Sequence, residues 1–146
     1  MKIKTENLSL LCEIIGKAKL TKMEDADKCK VIKILRILRP TLTDIEQVRK
    51  DAIEKFKPED WGEIEPKFVE LVSKKSNISQ EEANYVMKAV SELDKKVKSC
   101  INEEFGETLN FDTPTLSDSA FEKLLASNDW DVNTGDTIFE HLVQTN

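Results

Sequence analysis

Between Ile32 and Phe56 an apolar residue falls at every third or fourth position: Ile32, Leu35, Leu38, Leu42, Ile45, Val48, Ala52 and Phe56. That spacing lines one side of a helix and cannot line one side of a strand, where the period is two. The pattern returns at Ala83, Val86, Val90, Leu93, Val97, Cys100 and Ile101. Two long helices with matched stripes must cover those stripes, against each other in one chain or against a second chain. Local signals bracket the second run. Ser79 and Glu82 have the spacing of a capping box, and Gly106 stands where a C-terminal cap needs a residue free to take positive φ. Pro40 interrupts the first run. The apolar phase continues past it, which predicts a kinked helix; the competing reading is a break, with Thr43 and Glu46 capping a new start.

The remaining segments fit around this pair. Residues 2–4 alternate and predict a short strand, and Leu8, Leu11, Ile15 and Ala18 predict a first helix from an Asn7 cap to about Leu20. A shorter helix is expected from Pro66, where a first-turn proline is tolerated, to about Lys75, with Trp61 and Ile64 nearby in a turn. "ETLNFDTPTLS" is extended, ends near Pro114, and can pair with residues 2–4. Ser117 caps a helix through Ser127, and a last helix is expected over 135–143. The fold class is therefore mainly α: an antiparallel helical bundle with long helices and a minor two-stranded β ribbon, in a single helical domain over 1–146.

Composition narrows the function. Charged residues are 34% and hydrophobic residues 39%, with only four glycines and four prolines, which suits a helical domain with a core and not a disordered chain. No apolar run has the length of a membrane span, and the first twenty residues lack a signal-peptide pattern, so the expected location is cytoplasmic. Cys12, Cys29 and Cys100 contain no Cys-x-x-Cys pair and read as reduced, buried thiols. Charge is divided unevenly. Residues 1–57 hold 14 basic against 9 acidic side chains, while residues 58–146 hold 8 against 19. Such halves can pair within the fold, pair between copies, or face different partners.

Four constellations bear on chemistry. "DWDVNTGDTIFE" puts Asp129, Asp131, Asn133 and Glu140 at positions 1, 3, 5 and 12 of a calcium loop. The glycine required at position 6 is Thr134, however, position 8 is Asp136, and no second loop exists. An acidic turn is the plainer reading, with Asp129 or Thr134 capping the last helix and Trp130 and Val132 facing inward. No metal or other cofactor is implied. "KCKVIKILRILR" carries Lys28, Lys30, Lys33, Arg36 and Arg39, a possible phosphate track. These charges spread around a broad arc, no aromatic residue is interleaved, and the chain is acidic overall, so a solvated face, or one facing the chain's own acidic C-terminal half, is the better account. His141 is the lone histidine, and no nucleophile elbow or P-loop occurs; pairs such as Glu103–Glu104 are adjacent and diverge on a helix. The chain is thus not expected to be an enzyme. Trp61 and Trp130, both expected in turns, are the candidate partner-binding anchors.

The layout "MKIKTENL", "IKILRILRPTLTDIEQVRKDAIEKF", "ETLNFDTPTL" and "SDSAFEKLL" resembles a family of short tailed-phage proteins of unknown function from structural and tail-assembly gene clusters. The likeness covers most of the chain except the segment around Pro58–Pro66. It implies a phage or prophage origin and a part in particle assembly, and supplies no site residues. The expected role is a non-catalytic protein-interaction protein that binds a protein partner or itself, with no membrane contact. A calcium- or nucleic-acid-binding helical module is the alternative.

Overall fold

The computed structural model describes residues 1–73 and 77–143. In it the chain runs β1 (Lys2–Lys4), a 3-10 turn (Thr5–Asn7), α1 (Leu8–Lys17), α2 (Asp25–Phe56), α3 (Trp61–Val72), α4 (Gln80–Phe105), β2 (Thr108–Asn110), α5 (Asp118–Ser127) and α6 (Val132–Leu142). The fold is mainly α with a minor antiparallel ribbon, as the periodicities predict. Its contacts sort into two compact units, one of Met1–Asp44 with Phe105–Asn146 and one of Ile45–Glu104.

The first unit is built from both ends of the chain. β1 and β2 pair antiparallel, with Lys2 opposite Asn110, Ile3 opposite Leu109 and Lys4 opposite Thr108. The alternation sends Ile3 inward and the flanking lysines outward. Beyond the ladder, Phe111 N donates to Met1 O at 2.8 Å and Thr5 N to Glu107 O at 2.9 Å. Thr5 is the buried polar residue among the described residues of this unit, and its hydroxyl donates to the Gly106 carbonyl at 2.6 Å. Gly106 has φ of 81°, the left-handed conformation expected where α4 ends. The core gathers Leu8, Leu11 and Ile15 of α1, Val31, Ile34 and Leu38 of α2, and Leu116, Leu124, Ile138 and Leu142 near the C-terminus. α5 is capped as predicted: Ser117 Oγ accepts from Ala120 N at 3.1 Å. α1 departs from expectation. The Asn7 side chain makes no capping bond, and the helix stops at Lys17, where Ala18 turns extended.

α2 is one continuous helix through Pro40. Pro40 cannot donate to the Arg36 carbonyl one turn back, but both residues are exposed, so water can take the vacated acceptor. The buried side of α2 is Val31, Ile34, Leu38, Ile45 and Ala52, with Val31, Leu38, Ile45 and Ala52 recurring at intervals of seven. This corrects the stripe at its start, because Ile32 is 51% exposed.

The second unit contains the end of α2, α3 and most of α4, with Ile45, Ala52, Ile64, Val86, Leu93, Val97 and Ile101 buried. Ser79 Oγ accepts from Glu82 N at 3.3 Å, which starts α4 where the capping box predicts. α3 begins at Trp61, not at Pro66, so Trp61 is helical and Pro66 lies inside the helix. Its expected end near Lys75 lies outside the described residues. Asp60 occupies the N-cap of α3, yet its carboxylate accepts from the Tyr85 hydroxyl at 2.6 Å and bonds no helix N–H. That hydrogen bond, and then the nearby negative charge, raise the Tyr85 phenol above its ordinary pKa. Among the described residues, no helix is long and apolar enough to cross a membrane.

Candidate functional site

α5 and α6 form a corner whose outer side is hollow. The connection between them is only Asn128 to Asp131. Asn128 secures its start: its amide donates to the Leu124 and Lys19 carbonyls, and its Oδ1 accepts from Lys19 N, each at 2.8 to 2.9 Å. Asp131 secures its end by capping α6, its carboxylate accepting from Thr134 N at 2.7 Å. This bond to the negative form holds the Asp131 carboxyl below the ordinary aspartate pKa. The helices approach closely at Gly135, where a Cβ would stand 3.4 Å from Leu125 Cδ2, at the edge of ordinary van der Waals contact. Phe121 and Phe139 meet edge to face with centroids 5.2 Å apart.

The resulting hollow has a volume of about 430 Å³ and is walled by Phe121, Leu125, Trp130, Val132, Gly135 and Phe139, with Asp131 and Asp136 at its polar edge. Val132 is 86% exposed, which corrects the expectation that it faces inward. Trp130 is half-buried and lies on this wall, in the connection where the sequence places it. Trp61, the other expected anchor, is half-buried at the start of α3 in the second unit.

The calcium spacing does not survive as a loop. Residues 132–142 are helical, so Asn133 and Glu140 are separated by seven residues, or about 10.5 Å of helix rise. Ligands around one calcium lie about 2.3–2.6 Å from it, so those two oxygens cannot share a cage with Asp129. Asp131, not Thr134 or Asp129, is the cap. Among the described residues no three His, Cys, Asp or Glu side chains gather as ligands would.

The basic run lies on the first half of α2. Lys28 and Lys30 sit near Asp25 and Asp27, three residues earlier, at 3.6 Å and 3.5 Å. Lys33, Arg36 and Arg39 are exposed and, among the described residues, have no ion pair. Cys29 is also exposed, contrary to the buried thiol expected; Cys12 is buried and Cys100 half-buried.

A second hollow, of about 380 Å³, lies within the other unit between Phe56, Tyr85, Leu93 and Lys96. Lys55 and Lys96 approach the Phe56 ring at 5.2 Å and 5.7 Å from its centroid. Glu92 lines this hollow together with Lys88 and Lys96 and offsets their charge toward an anion.

The hollow at α5–α6 was only partly legible. Trp130 stands out in the sequence as an aromatic residue in a turn, whereas nothing local in the sequence brings Phe121 and Phe139 together. No family model matches the chain, and neither a curated protein nor a solved structure matches it.

Proposed function

We propose that this chain is a non-catalytic protein-interaction protein whose binding surface is the α5–α6 hollow. One observation supports the reading: an apolar, aromatic hollow carries a half-buried tryptophan and an acidic edge. Burying a tryptophan at the centre of a contact is the usual source of binding energy at protein interfaces. The acidic edge selects a partner segment that is apolar at its centre and basic at its rim. Likeness in layout to short tailed-phage proteins supports a part in phage or prophage particle assembly. An exposed thiol at Cys29 suits a reducing, cytoplasmic setting.

The test uses fluorescence. Trp61→Phe leaves Trp130 as the sole tryptophan. Titration with a helical peptide of leucine and lysine should shift Trp130 emission to the blue, and a leucine–glutamate peptide of equal length should not. An unmoved spectrum with both peptides would refute the hollow as a binding surface.

A further inference from the structure

We infer that the occupant of the α5–α6 hollow is the outer face of α2 from a second copy of this chain. The inference rests on the hollow being a binding surface, and adds what fills it.

The first unit carries two surfaces of opposite character. At about 100° per residue, Cys29, Lys33, Arg36 and Pro40 share the side of α2 opposite its buried residues Val31, Ile34 and Leu38. Two isoleucines edge this basic stripe, Ile32 at 51% exposure and Ile37 at 38%. The unit's own core does not cover them. The stripe is therefore basic with apolar shoulders. The α5–α6 corner is its complement: apolar inside, with Asp136 at the edge and Asp129 and Glu140 exposed on the same corner. None of these three carboxylates has an ion pair among the described residues. The stripe is exposed and points away from the core that α5 and α6 help to build, which leaves it open to the hollow of another copy.

The two faces are different surfaces, so the contact is heterologous, and copies add head to tail into a ring or an open row. Opposite charges at the rim steer the encounter and make it weaken with salt.

Sedimentation velocity on the whole chain tests this. The wild type should show mass rising with concentration beyond a dimer, and less so at high salt. Lys33→Glu with Arg36→Glu removes the stripe; Val132→Lys with Asp136→Lys removes the hollow's apolar lip and acid. Each double variant should associate about a hundredfold more weakly, because like charges then face each other. Mixed together, the two variants retain one intact contact and one whose charges are exchanged, and should regain association that neither shows alone. That mixture also proves both are folded. A wild type that stays monomeric at low salt, variants that still associate, or a mixture that stays monomeric would each overturn the inference. If the leucine–lysine peptide moves Trp130 emission while the wild type stays monomeric, the hollow stands and its occupant is a different protein. If neither occurs, both readings fall.

Discussion

Pro40→Ala should stabilise the protein. In a helix interior proline costs roughly 3 kcal/mol relative to alanine, from a lost hydrogen bond and a ring clash with the preceding turn. Here α2 continues unbroken from Asp25 to Phe56, so the chain already adopts helical geometry around the proline. Arg36 and Pro40 lie on the exposed side, so water satisfies the Arg36 carbonyl, and restoring a protein donor returns about 1 kcal/mol net. Relief of the ring contact adds to this, while the more flexible unfolded chain subtracts about 0.4–1 kcal/mol. The expected gain is about 1–2 kcal/mol, or a rise of roughly 2–8 °C in Tm for a chain of this size. Thermal melting followed by circular dichroism at 222 nm, with urea unfolding as a check, measures it. An unchanged or lowered midpoint would refute the reasoning, since it would mean that packing around Leu38 and Leu42 depends on the local geometry that proline imposes.

Leu124→Ala removes a side chain only 1% exposed and should cost about 2–5 kcal/mol, seen as a lower urea midpoint. Gly106→Ala forces a side chain into φ of 81° and should cost about 1–2 kcal/mol in the same assay, although its Cβ meets nothing closer than Thr108 O at 3.8 Å. Asp131 has a lowered carboxyl pKa in the folded state, so its contribution is complete above the ordinary aspartate value. It is lost as pH falls through the lower folded value. Asp131→Asn keeps a good cap that does not titrate, and should therefore lose less stability than the wild type when melts at neutral and strongly acid pH are compared.

What could be seen in the sequence was whatever one or two residues decide locally. The Ser117 cap, the glycine after α4 and the alternation that pairs Ile3 with Leu109 each follow from a side chain's own geometry. The stripe on α2 was harder, because "VIKILRIL" offers apolar residues on two sides. Val31 and Ile34 compete with Ile32 and Ile37, and only tertiary packing chooses. Pro66 suits a first turn and so predicts a late start for α3, whereas the helix begins at Trp61, with Asp60 drawn to Tyr85. The hollow at α5–α6 needed two facts that no local pattern carries: that Gly135 of α6 packs beside Leu125 of α5, and that Val132 faces solvent.

Because the first unit is split between residues 1–44 and 105–146, the order of synthesis sets the order of folding. As the chain emerges, α1 and the start of α2 appear first, with Leu8, Leu11, Ile34 and Leu38 lacking the C-terminal residues that share their core. About 60 residues must then be added before β2 can pair with β1, which at about 5–20 residues per second is a wait of roughly 3–12 s. The interposed unit draws only on nearby sequence and can settle during that wait. A nascent chain stalled near Glu104 would therefore hold one settled helical unit and one sticky, half-made core, the species that a chaperone would bind during translation.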